Sequence, residues 1–223
     1  NGSGKSTLMN AIAGAITLDS GTIKIAGKDV TKLPEYKRAA YLGRVFQDPN
    51  MGTASQMNIE ENMMLATRRT KKKTLKWGFN KGDREACVNK LKSLNLGLEN
   101  RLEQKVGLLS GGQRQAVTLL MATIQRPDIL LLDEHTAALD PKTAKVVLEL
   151  TSKIVEEEKI TTLMITHNMR DAIKYGNRLI MLNEGRVIFD ISGEEKKNLT
   201  VQELLEKFEK DDDIQLDDKM ILG

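Results

Sequence analysis

Short apolar runs of strand length alternate along this sequence with segments in which apolar residues recur at helical spacing. The purest run, Ile129–Asp133, is followed directly by Glu134, and residues 161–166 form a second run. Helical patterns begin at Ser110 and at residue 141, where a proline suits the first helical turn. Strands that alternate with helices in this way are typical of an α/β fold with a largely parallel sheet.

Weaker patterns predict the remaining elements. A helix is predicted over residues 6–15, and strands over residues 22–26 and 41–46. Near the other end, Asn183-Glu184-Gly185 separates two apolar runs, which predicts a β-hairpin. An amphipathic helix over residues 201–210 follows. We therefore expect the α/β fold to end in a hairpin and a helix.

Between residue 57 and about residue 96 the periodicity becomes helical and no good strand is found. The apolar residues that carry this pattern are Ile59, Met63, Met64, Leu65, Cys87, Leu91 and Leu94. The change predicts an α-helical subdomain, residues 51–109, inserted into an α/β core formed by residues 1–50 and 110–223. We expect the two parts to belong to one domain.

Composition removes several classes of protein. No run approaches the roughly 18 apolar residues of a membrane span. The 34 lysines and arginines against 31 acidic residues give a net charge of only +3, too mild to indicate a nucleic-acid-binding protein. A single cysteine and two histidines exclude an internal disulfide framework and a Cys- or His-rich metal centre, and they fit a reducing compartment.

The first seven residues, Asn1-Gly2-Ser3-Gly4-Lys5-Ser6-Thr7, contain the last six positions of the phosphate-binding loop G-x-x-x-x-G-K-[ST]. Glycines let successive backbone N–H groups face an anion, and the following helix adds its positive N-terminal end. Lys5 suits the β- and γ-phosphates, and the Ser6 hydroxyl suits Mg²⁺. Since the first glycine of the motif would precede Asn1, we expect the natural N-terminus to be missing.

Asp133 and Glu134 follow a buried strand, which brings them to the carboxyl edge of a parallel sheet, where ligands bind. There Asp133 could hold Mg²⁺ through its water shell, and Glu134 could accept a proton from an attacking water. An acid pair at a strand end is common by itself. Combined with Lys5 and Ser6 it indicates phosphoryl transfer from a nucleotide.

Leu109-Ser110-Gly111-Gly112-Gln113-Arg114-Gln115 predicts a second anion cradle, with a serine N-cap and two glycines at a helix start. With two cradles in one chain, the second is expected to serve another nucleotide. Over nearly the whole chain these motifs resemble the ATPase domain of ABC transporters, which has a P-loop NTPase core. The resemblance implies that ATP and Mg²⁺ are the cofactors and that ATP is hydrolysed.

The resemblance also assigns roles to residues later in the chain. Gln47 matches a glutamine that contacts Mg²⁺ and water and senses the membrane subunit, Asp140 lies in a loop that crosses a dimer interface, and His167 matches a switch histidine near the γ-phosphate. The implied catalytic residues are Lys5, Gln47, Glu134 and His167, and the implied Mg²⁺ residues are Ser6, Gln47 and Asp133. The implied ATP-binding residues are Asn1, Gly2, Ser3, Gly4, Lys5, Ser6, Thr7, Gln47, Ser110, Gly111, Gly112, Gln113 and Asp140.

The family's organisation implies the partners. They are a second ATPase subunit, as homodimer or heterodimer, transmembrane permease subunits and a solute-binding protein, with no nucleic acid expected. This would place the chain at the cytoplasmic face of the membrane, held there through the permease. The stretches 52–54, 133–140 and 166–171 look most like bacterial importers for amino-acid-type solutes.

Some features depart from the pattern or favour other interpretations. His135 stands where the family usually has proline or alanine, and Ala137 where serine is usual. An aromatic residue that stacks on adenine in the family would lie before Asn1, so the chain as given is expected to bind ATP poorly.

Residues 80–83 and 190–193 match two GTPase motifs, but in reversed order. A non-transport ABC ATPase acting on nucleic acid or the ribosome is the other alternative, although no heptad run or zinc motif supports it.

A basic run completes the sequence features: Arg68, Arg69, Lys71, Lys72, Lys73 and Lys76, beside Trp77 and Phe79. A solvated face is the simplest interpretation, and contact with lipid headgroups or permease loops is the less favoured one.

Overall fold

The computed structural model describes residues 2–69 and 81–209. The chain divides into two compact units, one of residues 10–163 and a smaller one of residues 1–9 with 164–223. Most of the basic run and the acidic C-terminal tail lie outside the described residues. In chain order the elements are α1 (Lys5–Ala13), β1 (Lys24–Ile25), β2 (Lys28–Asp29), α2 (Glu35–Arg38), β3 (Leu42–Val45), α3 (Ile59–Thr67), α4 (Lys81–Lys92), α5 (Gly111–Thr123), β4 (Ile129–Asp133), α6 (Pro141–Glu157), β5 (Thr161–Ile165), α7 (Met169–Lys174), β6 (Arg178–Asn183), β7 (Arg186–Ser192), α8 (Gly193–Lys197) and α9 (Val201–Glu209).

The central sheet has the order β3-β4-β5. β3 and β4 are parallel, with Arg44 opposite Leu131. Leu130, Leu131 and Leu132 are fully buried, as the unbroken apolar run predicts for a strand covered on both faces. The parallel sheet and its flanking helices confirm the α/β expectation, and β4 has the bounds that the sequence predicts.

The helical segment packs around a continuous hydrophobic cluster. Ile59 and Met63 of α3 and Leu91 of α4 are fully buried in it, and the same cluster includes Ala116 and Leu120 of α5. α3 begins with a capping box in which Asn58 and Glu61 bond each other's backbone amides. Leu65, one of the residues that carry the predicted helical pattern, is 49% exposed, because it lies outside the buried face of α3 formed by Ile59, Asn62, Met63 and Ala66.

A buried arginine holds the end of α1. The Arg38 guanidinium donates to the carbonyls of Ala11 (2.6 Å) and Ile12 (3.0 Å), and also to those of Thr31 and Leu33. The carbonyls at a helix C-terminus carry partial negative charge and lack intrahelical partners. Arg38 therefore satisfies the end of α1 that lies away from the phosphate loop.

The smaller unit contains the antiparallel β6–β7 hairpin and the helices α7 to α9, which share a hydrophobic cluster around Met169, Met181 and Leu204. The hairpin and α9 confirm the sequence prediction. Asp190, the first residue of one apparent GTPase motif, lies in β7 and pairs through both carboxylate oxygens with Arg178. This ion pair gives Asp190 a structural role that requires no nucleotide.

Candidate nucleotide-binding site

The phosphate loop takes the conformation that its glycines permit. Gly2 and Gly4 have φ angles of +83° and +90°, a region that side-chain-bearing residues rarely occupy. α1 begins at Lys5. At the start of this helix the Leu8 amide donates to the Gly4 carbonyl (2.9 Å). The amides of the first turn have no carbonyl to bond inside the helix, so they can face an anion.

Two polar side chains of this loop are already oriented. The Lys5 ammonium donates to the Ser3 hydroxyl at 2.6 Å, while Ser6 lies exposed in the first turn of α1. The Ser3 carbonyl accepts from the Gly185 amide at 3.1 Å, which places the β6–β7 turn against the loop. The arrangement gives the loop a cation, a hydroxyl and open amides. Asn1 lies outside the described residues.

The acidic pair stands where β4 ends. Asp133 is the last residue of the strand, and Glu134 has φ of +46°, a strained value for a non-glycine residue. The Glu134 carbonyl accepts from the Ala137 amide at 2.9 Å, so the chain turns sharply directly after the strand.

His135 is a buried core residue. Its Nε2 lies 3.1 Å from the Thr151 hydroxyl, and that hydroxyl donates to the Val147 carbonyl at 2.7 Å. The histidine therefore acts as the donor, which assigns the proton to Nε2. Burial lowers the pKa of His135 to about 4, so the ring is neutral near pH 7. The unusual histidine after Glu134 is thus satisfied inside the fold by α6.

The second cradle is a fully formed capping box. The Ser110 hydroxyl accepts from the Gln113 amide at 3.3 Å, and the Gln113 side chain accepts from the Ser110 amide at 3.2 Å. The Gln113 side chain, predicted to bind ATP, is here directed back to the helix start. Because Ser110 accepts in this bond, its own hydroxyl proton is not consumed by it.

Gly112 and Asp140 connect this cradle to α6. A Cβ added to Gly112 would lie 2.1 Å from Cγ2 of Thr143, and one added to Gly111 would lie 3.0 Å from Leu139. Asp140 caps α6 by accepting from the Thr143 amide at 3.1 Å. Hydrogen bonds from the side chain and backbone of Thr143 lower the pKa of Asp140. The loop before α6 therefore packs directly on the glycines of the second cradle.

Two side chains of α5 hold the segment around Gln47, and sequence reasoning did not assign them. Gln115, 1% exposed, donates to the Phe46 carbonyl at 3.3 Å, one residue before Gln47. Arg114 donates to the Asn50 side chain and, at 2.8 Å, to the Gly107 carbonyl. A polar residue on the buried face of a helix was the signal available for Gln115, because such a group requires a partner.

His167 is the second residue after β5, in a segment fixed by local hydrogen bonds. The Thr166 hydroxyl accepts from the Asn168 amide at 3.0 Å, and the Asn168 side chain accepts from the Asp171 amide at 3.1 Å. Asn168 thereby caps α7. His167 is half-buried at this junction of strand and helix.

The implied residues fall into two groups. Gly2 to Thr7 and His167 belong to the smaller unit, whereas Gln47, Ser110 to Gln113, Asp133, Glu134 and Asp140 belong to the larger one. Within the described ranges there is no group of three or more His, Cys, Asp or Glu side chains that could hold a metal. The oxygen donors of Ser6, Gln47 and Asp133 are of the type that Mg²⁺ accepts, since this ion keeps several waters and needs few protein ligands.

Comparison with known proteins identifies the class. The family model described as ABC transporter matches residues 1–137. A tyrosine transport ATP-binding protein of Clostridioides difficile (strain R20291) is 50% identical over 213 residues, covering 94% of this chain and 83% of the relative. A thiamine import ATP-binding protein of Chelativorans sp. (strain BNC1) is 37% identical over 191 residues, covering 85% of this chain and 72% of the relative.

Solved structures agree. An ATP-binding cassette of an ABC transporter in its ADP conformation matches with a TM-score of 0.71 and 28% identity, over 88% of this chain and 78% of the other. A dimeric cassette in a post-hydrolysis state with ADP and Pi matches with a TM-score of 0.70 and 29% identity, over 85% and 81%. The chain belongs to the ABC transporter ATP-binding family. It is an ATP-binding subunit of an ABC transporter and an ATPase, with a P-loop NTPase fold.

Among the described residues no helix combines the length and the apolar character needed to cross a membrane.

Proposed function

We propose that this subunit drives the import of an amino-acid-type solute through partner permease subunits. The observation that carries this proposal is the 50% identity, over 94% of the chain, to a protein named for tyrosine transport. Relatives named for thiamine import and for branched-chain amino acid transport match at 37% and 33%. The aromatic amino acid class is therefore favoured over the vitamin.

The partners follow from this role. The subunit works at the cytoplasmic face of the membrane, attached through the permease, and a solute-binding protein delivers the solute. The segment after Gln47 and the helical subdomain, residues 51–109, are the parts proposed to contact the permease. Arg114 supports this assignment, because it bonds Asn50 beyond Gln47 as well as Gly107 before the second cradle.

Two subunits are proposed to close on ATP, each presenting Ser110, Gly111 and Gly112 to the nucleotide held by its partner's phosphate loop. Asp140 lies in the segment that crosses between them. The exposed Ser110 at the start of α5 and the packing of Gly112 on α6 support this role. A solved cassette of similar fold is dimeric with ADP and Pi.

Hydrolysis requires positioning and neutralisation of charge more than covalent chemistry. Lys5 and the amides of residues 2–7 hold the phosphates. Ser6, Gln47 and Asp133 would hold Mg²⁺, which would supply further neutralisation of the phosphate charge. Glu134 accepts the proton of the attacking water, while His167 and Gln47 orient the reacting groups. The strained backbone of Glu134 at the end of a buried strand supports its assignment as the base.

Replacement of Glu134 by glutamine tests the chemistry in the full-length protein. Loss of a general base lowers the rate by about 10²- to 10⁴-fold. We expect Glu134→Gln to bind ATP with wild-type affinity and to accumulate as an ATP-bound dimer on a sizing column. Glu149→Gln, on the exposed surface of α6, is the control with unchanged rate. Wild-type turnover in Glu134→Gln would refute the role of Glu134.

The solute is tested separately. The solute-binding protein encoded with the permease is titrated with tyrosine, tryptophan, leucine and thiamine, and binding is followed by calorimetry. We expect an aromatic amino acid to bind tightest. Binding of thiamine with no binding of any amino acid would refute the proposed solute class while leaving the ATPase assignment intact.

A further inference from the structure

Arg44 places a permanent positive charge beside the strand-end carboxylate Asp133. Its guanidinium nitrogen lies 3.6 Å from the Asp133 carboxylate oxygen. Both side chains are largely shielded, at 12% and 18% exposure. The guanidinium is a planar, delocalised cation that carries only hydrogen-bond donors.

Neighbouring groups fix the guanidinium in this place. It donates to the Asn10 side chain on α1 at 2.8 Å, and its carbon lies 4.6 Å from the centre of the Phe46 ring. Its Nε is buried and has no hydrogen-bond partner among the residues that the structure describes. A cation stacked on a ring and bonded on one side has little freedom to leave. Arg44 is thus held next to Asp133 by residues other than Asp133.

The position in the strand explains the contact. Arg44 pairs in register with Leu131 of β4, two residues before Asp133. Gly43 and Val45, the neighbours of Arg44 in β3, are buried, and Leu42, which shares the face of Arg44 in the strand alternation, is buried as well. An arginine in a short strand between buried residues is costly unless it is paired, so its presence calls for a purpose.

We infer that Arg44 is a positioning residue whose guanidinium, when no metal is bound, lies where a cation would contact the Asp133 carboxylate. Arg44 thereby sets how strongly nucleotide binding depends on Mg²⁺. This inference rests on the proposed role of Asp133 toward Mg²⁺. A divalent ion that approaches Asp133 meets a carboxylate whose charge is already partly offset. This offset lowers the Mg²⁺ preference.

The test compares nucleotide affinity with and without metal in the full-length protein. The dissociation constant of a non-hydrolysable ATP analogue is measured in EDTA and in saturating Mg²⁺. The value in EDTA divided by the value in Mg²⁺ is the Mg²⁺ preference. In Arg44→Gln, which stays polar beside Asn10 but loses the charge, we expect this ratio to rise by about three- to tenfold. Arg44→Lys, which keeps the charge, should remain within about twofold of wild type.

Arg126→Gln is the matched control. Arg126 is also anchored by backbone carbonyls, those of Glu158 and Lys159 at 2.7 and 2.9 Å, but it is exposed. Its replacement should leave the ratio unchanged. A merely structural role for Arg44 would lower the melting temperature of Arg44→Gln without changing the ratio.

The outcomes separate the two hypotheses. If neither the wild-type protein nor Arg44→Gln binds the analogue better with Mg²⁺ than without it, the proposed metal role of Asp133 fails. If the wild type prefers Mg²⁺ but folded Arg44→Gln has the same or a smaller ratio, only the inference about Arg44 is overturned. Should Arg44→Gln not fold, Arg44→Met, which keeps the stem over Phe46, replaces it. Failure of both neutral variants to fold beside a folded Arg44→Lys would assign Arg44 to the fold and overturn the inference.

Discussion

The two helix starts that the sequence marks as anion cradles are built in different ways. At α1 the loop contributes a cation, Lys5, whose ammonium is already bonded to Ser3. At α5 the first turn is Gly111-Gly112-Gln113, without a charged side chain, and Ser110 and Gln113 cap the helix reciprocally. The first cradle offers an anion a side-chain cation, whereas the second offers backbone amides and the positive N-terminal end of α5. This difference supports the proposal that the first cradle holds ATP and the second closes on it.

Glycine also serves the two cradles for different reasons. Gly4 has φ of +90°, so its main requirement is conformational, and a Cβ there would also lie 3.3 Å from the Gly185 Cα. At Gly112 the requirement is space, because a Cβ would lie 2.1 Å from Thr143 Cγ2. Replacement of Gly4 would therefore strain the backbone of the loop, whereas replacement of Gly112 would crowd Thr143.

The largest effect is expected when the charge of the first cradle is removed. Lys5→Met should weaken ATP binding by on the order of 3 kcal/mol, about a hundredfold, because a charged hydrogen bond to phosphate is lost. Ser110→Ala should leave ATP binding by the single subunit within twofold. Fluorescence titration at a subunit concentration below that of dimer formation measures both. Equal losses in the two variants would break the distinction between the cradles.

Crowding at the second cradle gives the next effect. Gly112→Ala should cost about 1–3 kcal/mol of folding stability through overpacking against Thr143. Thr143→Ser removes Cγ2 but keeps the hydroxyl that bonds Asp140, so Gly112→Ala with Thr143→Ser should regain most of the loss. Urea denaturation of the two single variants and the double variant measures this. Additive losses would show that the contact with Thr143 is not the cause.

A smaller effect is expected from the cap itself. Ser110→Ala should lower the free energy of unfolding by about 1 kcal/mol, because the Gln113 amide loses its acceptor. Ser110→Asn, which retains an acceptor at the cap, should stay close to wild type, and Lys5→Met should change stability little. If Ser110→Asn is destabilised as much as Ser110→Ala, the capping role is wrong.

The smallest effect is a dependence on pH at the start of α6. Hydrogen bonds from Thr143 lower the folded-state pKa of Asp140 below its ordinary value of 3.8. The stabilisation is therefore complete above the unfolded-state pKa and is lost as the pH falls through the lower folded-state pKa. Between pH 6 and pH 3 the wild type should lose slightly more stability than Asp140→Asn, measured by urea midpoints. Parallel curves would exclude a contribution from this carboxylate.

Much of the fold was predictable because its signals are local. The bounds of β4 follow from an unbroken apolar run, and the start of α5 follows from a serine cap before two glycines. Short elements were missed. α2 has four residues and α7 has six, too few for helical periodicity to be visible. The strand expected over residues 22–26 is reduced to β1, paired with β2 in a small antiparallel sheet.

The site was predictable as a set of residue types rather than as an arrangement. Ser110 as a cap and Asp133 at a strand end could be assigned, since both depend on neighbours in sequence. Gln113 was assigned to ATP, but its side chain bonds the Ser110 amide. His135 looked like a departure from the family pattern, and its hydroxyl partner Thr151 is 16 residues away on another element.

The sequence alone determined the alternation of strands and helices, the two cradles and the acidic strand end, because hydrophobic period, glycine conformation and capping act over a few residues. Only the tertiary structure decided which polar groups are buried and paired. Arg44 meets Asp133, Gln115 meets Phe46 and Thr143 crowds Gly112 because separate elements approach within hydrogen-bonding or van der Waals distance. No local pattern encodes such contacts, since they depend on how the strands and helices pack.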